Sequence, residues 1–288
     1  MRIIIVGAGP GGCAAAEEAA RLGADVTVIE RGKIGGVCLN WGCIPTKTWK
    51  TAAERYRAAF ESVDYGIETG GEVRFNPSRL RERRDRVIDT LASGLHALFK
   101  RYNIRYLAGE GAVLDSRRVM VRLPEGDSEE VTGDRLILAT GSSPLPCSSI
   151  PFDSEQVIST NDAVDLSEIP KSLLIVGGGV NGCEFASIYS ALGTKVTVME
   201  MASALLPLPS IDRDSIAVLE REMKKKGIRL LLGYIAEEMS RHEANIRVSA
   251  VPANRESLPA KSAGTVCVDA EKVLVAIGRR PATGGLGL

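Results

Sequence analysis

Two cysteines, Cys38 and Cys43, lie five positions apart within residues 35–47, which run GGVCLNWGCIPTK. In a regular helix that spacing corresponds to a rise of about 7.5 Å, more than the Cα separation that a disulfide tolerates. Pairing the two sulfurs therefore requires an irregular turn, which Gly42 can provide. Pro45 favours the first turn of a helix, so we expect Cys43 near a helix N-terminus, where the dipole stabilises a thiolate. The pair is a candidate for redox catalysis or metal binding.

The composition narrows this choice. The sequence holds no second CxxC and no histidine near the pair that would complete a four-ligand metal site, so we predict no metal. Two unrelated buried thiols remain an alternative. Six cysteines among 288 residues are too few for a small disulfide-rich secreted scaffold, which favours a reducing, cytoplasmic location.

Charge and hydropathy argue against nucleic acid and membrane partners. Lys+Arg and Asp+Glu both number 36, so the formal net charge is zero and nothing favours a polyanion. No apolar run approaches the length that a membrane-spanning helix needs. The first residues, MRIIIVG, predict a strand rather than a signal peptide. We therefore expect neither a nucleic-acid nor a membrane partner.

The sequence contains two copies of one binding unit. Residues 6–30 and 176–200 are identical at 12 of 25 positions when aligned without gaps. Each copy predicts a strand, a glycine turn, a helix and a second strand, which ends in Glu30 or Glu200. This pattern predicts an α/β protein with two doubly wound, Rossmann-like nucleotide-binding domains. Each turn carries G-x-G-x-x-G, formed by Gly7, Gly9 and Gly12 in the first copy and by Gly177, Gly179 and Gly182 in the second.

The glycines and the acids match the needs of a dinucleotide. The first glycine permits a tight turn, the second lets the backbone approach a pyrophosphate, and the third lets the helix pack on the strand. The phosphates would lie at the helix N-terminus, where free N–H groups favour negative charge. Glu30 and Glu200 stand where a carboxylate accepts hydrogen bonds from a ribose, and Glu200 would repel a 2′-phosphate, so the second site should prefer NAD over NADP. The alternative is that the glycines are only turns in a fold that binds something else.

Between the two copies the sequence predicts helices over about residues 45–60 and 76–102, the second capped by Asn76. Short strands are expected around Ile104, Val113, Val119 and Val131. The first domain should therefore contain an inserted helical hairpin and a small antiparallel sheet.

The segment RLILATGSSP, residues 135–144, predicts a buried strand that ends on a glycine turn. The Ser- and Pro-rich residues that follow indicate a domain boundary. We predict a first nucleotide domain over residues 1–146 and a second over residues 147–280, followed by residues 281–288.

Five segments together resemble one enzyme family. GAGPGG, the cysteine segment, LILATGSSP, GGGVNGCE and VAIGRRP occur in the order found in the pyridine nucleotide–disulfide oxidoreductases, and the resemblance covers the whole chain. Within that family, CLN-x-GCIPTK is most similar to the dihydrolipoamide dehydrogenases. Glutathione and mercuric reductases share the layout but generally favour NADP, which Glu200 opposes.

The resemblance implies FAD in the first domain, NAD in the second and a disulfide between Cys38 and Cys43. Cys38 would exchange with the substrate thiol, and Cys43 would lie against the flavin. Lys47, beside the flavin, would pair with Glu184, although from the sequence alone both would be ordinary helix-surface charges. The substrate would be a small dithiol or disulfide, including a protein-bound lipoyl group. Further cofactor contacts that the resemblance implies are Gly36, Val37, Gly111, Thr140, Gly141, Gly178, Gly278 and Arg279.

Members of the family normally continue beyond the last motif found here, into a C-terminal domain that forms the dimer and supplies a His–Glu acid/base pair. The resemblance implies that the first domain, residues 1–146, is incomplete and that residues 281–288 begin a segment that returns to it. It therefore implies a C-terminally truncated fragment of a homodimeric enzyme, without full turnover. A complete minimal flavoprotein and a non-catalytic dinucleotide-binding module are the alternatives. The four remaining cysteines are expected to be free buried thiols: Cys13, Cys147, Cys183 and Cys267.

Overall fold

The computed structural model describes residues 1–68, 70–254 and 264–288. These residues form two compact units. The first unit consists of Met1–Pro45, Glu82–Ser143 and Arg280–Leu288, and the second consists of Thr46–Arg81 and Pro144–Arg279.

The first unit is built on a four-stranded parallel sheet. Its strands are β1 (Arg2–Val6), β2 (Asp25–Glu30), β3 (Arg105–Ala108) and β7 (Arg135–Leu138), in the order β3-β2-β1-β7. Helix α1 (Pro10–Arg21) connects β1 to β2, and the short helix α2 (Gly36–Asn40) follows β2. A three-stranded antiparallel sheet is formed by β4 (Glu110–Asp115), β5 (Arg118–Arg122) and β6 (Ser128–Thr132).

Two cores hold the first unit together. Side chains of β1 and β2 such as Ile5 and Val28 pack with Phe99, while Ile4 and Ile29 pack with Val119 and the rest of the antiparallel sheet. The core strands are rich in β-branched residues because a sheet covered on both faces must bury successive side chains in both directions.

The edge strand β7 differs from its prediction. Residues 135–144 were expected to begin with a buried strand, but Ile137 is 36% exposed and Leu138 is 42% exposed. The strand pairs with β1 on one side only, and no described strand pairs with its other edge. Apolar sequence therefore identified the strand correctly but not its place at the margin of the sheet.

The second unit repeats the parallel design with five strands, which are β9 (Val157–Ser159), β10 (Ser172–Val176), β11 (Lys195–Glu200), β12 (Arg229–Leu232) and β16 (Lys272–Val275). Their order in the sheet is β12-β11-β10-β16-β9. Helix α5 (Val180–Ala191) connects β10 to β11, and α6 (Arg213–Lys225) connects β11 to β12. An antiparallel sheet consists of β13 (Tyr234–His242), β14 (Asn245–Pro252) and β15 (Val266–Ala270).

The predicted helices between the two copies are confirmed as α3 (Cys43–Glu61) and α4 (Pro77–Arg101). The Arg79 N–H donates to Asn76 Oδ1 at 3.1 Å, which is the predicted cap. Within the second unit, Trp49 on α3 is 1% exposed and donates from Nε1 to the Val164 carbonyl at 2.8 Å. Residues 46–81 therefore group with the second unit, which sequence position alone did not indicate.

The remaining described elements are short. They are β8 (Ser142–Pro144), which pairs with β17 (Arg279–Pro281), and two turns of 3₁₀ helix at Ser62–Tyr65 and Asp162–Val164. Among the described residues, none of the helices combines the length and apolar character needed to cross a membrane. The assignment of residues 1–146, 147–280 and 281–288 to separate cofactor domains stays a prediction.

Candidate functional site

The glycine turn of the first unit is so tight that two of its glycines are required by the fold. Gly7 has φ +107°, and a Cβ added there would press into the Ala139 carbonyl group. A Cβ on Gly12 would collide with the Gly7 carbonyl oxygen. These glycines therefore bring the start of α1 against the end of β1, as the motif predicts.

The second unit reproduces this geometry. Gly177 has φ +111°, and a Cβ there would lie 2.5 Å from the Ala276 carbonyl oxygen. A Cβ on Gly182 would collide with the carbonyl oxygen of Gly177. Both copies of the motif thus make the same turn for the same steric reason.

The middle glycine of each turn is different, because the fold does not require it. Gly9 and Gly179 are the N-cap residues of α1 and α5, with φ of −73° and −72° that any residue can adopt. An added Cβ on Gly179 would meet nothing within 4 Å, and one on Gly9 would meet only the Gly36 Cα at 4.0 Å. No side chain caps either helix. The open space beside Gly9 and Gly179, at the N-terminal ends of α1 and α5, suits the close approach of a phosphate.

The acid that ends the second strand of each copy, β2 or β11, accepts a hydrogen bond from the backbone of the glycine turn. In the first unit, Glu30 Oε2 accepts from the Ala8 N–H at 2.7 Å and Oε1 accepts from the Gly32 N–H at 2.7 Å. In the second, Glu200 Oε2 accepts from the Gly178 N–H at 2.6 Å and Oε1 from the Ala202 N–H at 2.8 Å.

The sequence predicted these acids as ribose ligands and missed their hydrogen bonds to the backbone. Each carboxylate oxygen retains a second lone pair, so both tasks are compatible. Glu200 is 8% exposed, and a Cβ on Gly178 would come within 2.9 Å of the Glu200 Cβ. Gly178 is therefore small because it packs on this acid.

Cys38 and Cys43 form a disulfide, with their Cα atoms 4.7 Å apart. Cys38 lies on α2 and Cys43 is the first residue of α3, so an irregular turn separates them, as their spacing requires. Gly42 is in that turn, where an added Cβ would lie 3.0 Å from the Val37 carbonyl oxygen. Helix α3 begins two residues before the predicted Pro45, which places a cysteine sulfur at its N-terminus.

Within the first unit the cysteine segment lies directly on the glycine turn. The Gly35 N–H donates to the Ala8 carbonyl at 2.7 Å, and a Cβ on Gly36 would lie 2.7 Å from the Gly9 Cα. The disulfide-bearing helix therefore starts against the turn that is the candidate phosphate site. This contact unites two motifs that are more than twenty residues apart in the chain.

A further residue holds the segment, and the sequence analysis missed it. Asn40 is 8% exposed, and its Nδ2 donates to the carbonyls of Ile34 at 3.0 Å and Gly36 at 2.9 Å. The sequence feature that could have identified Asn40 is its polar amide side chain directly after Cys38 and Leu39. Buried amides are stable only when they are hydrogen bonded, which makes Asn40 a brace for α2.

Lys47 and Glu184 meet within the second unit. Lys47 Nζ lies 2.5 Å from Glu184 Oε1, and their side chains are 61% and 20% exposed. The pair therefore carries little of the desolvation cost that a buried cation would. Lys47 follows Cys43 by four positions in α3. The role of the pair beside a flavin stays a prediction.

The other predicted contact residues lie at loop positions or strand ends. Thr140 and Gly141 follow β7, and the Gly141 carbonyl accepts from the Ala282 N–H at 3.0 Å. Gly278, with φ +135°, lies beyond the end of β16, and burial lowers the pKa of the neighbouring Arg279.

Two predicted contact residues lie within regular elements rather than at loop positions. Gly111 lies on β4, where an added Cβ would meet the side chains of Val119, Ile29 and Val6. Val37 lies on α2, and its carbonyl accepts from the Trp41 N–H at 2.8 Å. The contacts predicted for these residues stay predictions.

The expectation of four buried free thiols is partly wrong. Cys13 and Cys183 are buried, Cys147 is half-buried, and Cys267 is exposed. Cys267 lies on β15, opposite Ser249 of β14, where alternate side chains face away from the core. Among the described residues no group of three or more metal-binding side chains is found.

Comparisons with known proteins agree with this geometry. The family model described as Pyridine nucleotide-disulphide oxidoreductase matches residues 1–287. A dihydrolipoyl dehydrogenase of Geobacillus stearothermophilus is 37% identical over 286 residues, which cover 99% of this chain and 58% of the relative. A dihydrolipoyl dehydrogenase of Bacillus subtilis is 34% identical, covering 100% of this chain and 60% of the relative.

The fold has solved counterparts. The crystal structure of LpdA from Mycobacterium tuberculosis matches with a TM-score of 0.87 and 28% identity, over 100% of this chain and 60% of that one. The HOCl-induced flavoprotein disulfide reductase RclA of Escherichia coli matches with a TM-score of 0.79 and 27% identity, over 99% of this chain and 58% of that one. The chain thus spans about 60% of the length of these similar proteins.

Proposed function

The chain belongs to the pyridine nucleotide–disulphide oxidoreductase family, and we propose that it transfers electrons between NAD(H) and a dithiol or disulfide substrate through Cys38 and Cys43. One observation carries the proposal. A disulfide at the start of a helix lies in the same compact unit as a glycine turn shaped for a dinucleotide, and its segment is hydrogen bonded to that turn.

The two units supply matching cofactor sites. We propose that the first binds FAD at Gly7, Gly9 and Gly12, and that the second binds NAD at the equivalent glycines. The space around Gly9 and Gly179 supports both assignments, because neither the backbone conformation nor a neighbouring atom requires glycine there, whereas close approach of a pyrophosphate would. FAD supplies a two-electron carrier between a nicotinamide and a disulfide.

The second site is proposed to select NAD over NADP. Glu200 is nearly buried and both of its oxygens accept backbone N–H bonds, so its carboxylate is fixed at the end of β11. A fixed negative charge there would repel a ribose 2′-phosphate.

The chain's own groups divide the thiol chemistry. Cys38 is proposed to exchange with the substrate sulfur, and Cys43 to hold the thiolate that forms when the disulfide opens. Its place as the first residue of α3 supports this, because the helix dipole lowers the free energy of an anion there. Lys47, which forms an ion pair with Glu184, is proposed to supply a positive charge to the flavin.

The substrate is proposed to be dihydrolipoamide, including a protein-bound lipoyl group, since the relatives reported above are named dihydrolipoyl dehydrogenase. A longer form of the protein is proposed to act as a cytoplasmic homodimer. A glutathione- or mercuric-reductase-like activity is disfavoured by Glu200.

The proposal is tested by counting thiols. The protein is incubated anaerobically with FAD and NADH, and accessible thiols are titrated after unfolding in denaturant. We expect two more thiols than in the sample without NADH, from reduction of the Cys38–Cys43 bond. The Cys38→Ser variant should gain none, whereas Cys147→Ser should still gain two.

An unchanged thiol count in the native chain, with FAD and NADH both shown to bind, would refute electron transfer. A protein that binds neither nucleotide would refute the cofactor assignments as well. Replacing NADH by NADPH tests the specificity, since comparable reduction by NADPH would contradict the role given to Glu200.

A further inference from the structure

The residue between the first two glycines of each turn is held at both ends of its backbone. In the first unit it is Ala8, whose N–H is bound by Glu30 and whose carbonyl accepts from the Gly35 N–H at 2.7 Å. In the second it is Gly178, whose N–H is bound by Glu200. Its carbonyl accepts from the Leu206 N–H at 2.9 Å.

A thiol completes the arrangement in both units. Cys13 Sγ donates to the Ala8 carbonyl at 3.2 Å, and Cys183 Sγ donates to the Gly178 carbonyl at 3.3 Å. Both cysteines directly follow the third glycine of the motif and are 7% exposed. A cysteine at the same motif position therefore makes the same hydrogen bond to the same backbone atom in both units.

Both thiols are kept in the state that can donate. Burial, with the charge of Glu30 as a smaller contribution, raises the pKa of Cys13. Burial and the charge of Glu200 raise the pKa of Cys183 to about 11. A thiol with a raised pKa stays protonated at neutral pH and is a poor nucleophile, so neither cysteine should take part in thiol–disulfide exchange.

We propose that Cys13 and Cys183 are positioning residues for the two dinucleotide sites, with S–H groups that fix the carbonyl of the residue between the first two glycines. That carbonyl shares a planar peptide group with the N–H of the second glycine, which is the N-cap residue of α1 or α5 and a candidate phosphate ligand. The inference rests on the proposed function, since it concerns the same two sites.

The two thiols differ in the backbone N–H that shares their acceptor carbonyl. The Ala8 carbonyl also accepts from Gly35, which immediately precedes the disulfide-bearing helix, so Cys13 acts on the cysteine segment as well as on the turn. The Gly178 carbonyl accepts instead from Leu206, in the segment after β11. Loss of Cys183 should therefore affect nucleotide binding in the second unit only.

The first test exchanges each thiol for a donor or a non-donor. Cys183→Ala keeps a small apolar side chain but removes the donor, and should raise the Kd for NADH about fivefold, the equivalent of about 1 kcal/mol, while leaving the Kd for FAD unchanged. Cys13→Ala should do the reverse. Cys183→Ser and Cys13→Ser keep a donor and should remain within about twofold of the native chain.

The outcomes separate this inference from the proposed function. Failure of the native chain to bind NADH and FAD overturns the proposed function. Normal binding by the native chain together with unchanged binding by both Ala variants overturns the positioning role. Serine variants as weak as the alanine variants also overturn it, because a purely spatial role for the side chain would give that result.

An infrared measurement tests the donors without any ligand. A hydrogen-bonded S–H group absorbs at a lower frequency than a free one, and the disulfide cysteines contribute no S–H band. Cys13→Ser and Cys183→Ser should each remove intensity from the shifted band, whereas Cys267→Ser, at an exposed position, should remove intensity elsewhere. Absorption of Cys13 and Cys183 at the free-thiol frequency would overturn the inference.

Discussion

Replacing Glu200 by glutamine should loosen the glycine turn of the second unit. The two carboxylate oxygens of Glu200 accept from Gly178 at 2.6 Å and from Ala202 at 2.8 Å, and the side chain is 8% exposed. Glutamine offers one acceptor oxygen, and its amide would point hydrogens at the second backbone N–H. The variant Glu200→Gln therefore leaves one of these two N–H groups without its acceptor.

The size of the effect follows from the kind of bond lost. A hydrogen bond to a charged group contributes about 1.5–3 kcal/mol, and a buried N–H that loses its partner costs a similar amount. We take about 2 kcal/mol as the fall in the free energy of local opening at this turn. Since each 1.4 kcal/mol changes an equilibrium tenfold, hydrogen exchange there should accelerate about 30-fold.

Hydrogen–deuterium exchange read by mass spectrometry measures this directly. Peptides covering residues 176–182 and 200–206 should exchange faster in Glu200→Gln, while the peptide covering residues 6–12 should not change. The variant Glu30→Gln should give the opposite pattern. As a matched control, Glu222→Gln alters an exposed acid on α6 whose ion pairs are made at the surface, so it should alter neither turn.

Two results would refute this reasoning. Unchanged exchange in the 176–182 peptide would show that the Glu200 carboxylate does not hold the turn. Equal acceleration in the two units would show general destabilisation rather than the loss of a local bond. NADH affinity measured in parallel would then reveal whether a loosened turn still binds the nucleotide.

Two further predictions concern the same unit. Gly179→Ala should fold normally, because an added Cβ meets nothing within 4 Å, but its affinity for NADH should fall at least tenfold. Gly182→Ala should also lower the unfolding midpoint, because its Cβ collides with the Gly177 carbonyl. Calorimetry measures both quantities, and full NADH binding by Gly179→Ala would contradict a phosphate at this turn. The pKa of Cys183 is raised from 9.0 to about 11, so the folded chain holds this proton more tightly than the unfolded chain. The protonated thiol's contribution to the free energy of unfolding is therefore complete below pH 9 and is lost as the pH rises towards 11. Between pH 8 and pH 10 the free energy of unfolding, measured by urea titration, should fall by about 1 kcal/mol more in the native chain than in Cys183→Ser. Equal losses in the two proteins would contradict the burial of this thiol.

The duplicated motif could be predicted because its turn conformation is a local property of the chain. The first residue of each turn, Gly7 or Gly177, has a positive φ that favours glycine. The third must be glycine because any side chain there would keep the helix away from the strand. Such requirements leave the same letters at the same spacing wherever the turn occurs. The strand ends at Glu30 and Glu200 followed from the same repeat.

Features that depend on distant packing were not predictable in this way. The backbone bonds of Glu200 require the start of α5 and the end of β11 to lie side by side, which no local pattern encodes. The exposure of Leu138 depends on which strand occupies the sheet margin, and that of Cys267 on which face of β15 is covered. The grouping of Thr46–Arg81 with the second unit likewise depends on tertiary contacts such as the one made by Trp49.

The two turns share their construction and differ in what they support. In both, an acid accepts from the N–H of the residue after the first glycine and a thiol donates to the carbonyl of that residue. The second donor to the carbonyl is the Gly35 N–H in the first unit and the Leu206 N–H in the second. Gly35 precedes the helix that carries Cys38, so one hydrogen bond to the Ala8 carbonyl joins the glycine turn to the cysteine segment. The Ala8 carbonyl shares a peptide group with the Gly9 N–H at the start of α1, so the first turn positions both a candidate phosphate site and the start of the disulfide-bearing helix.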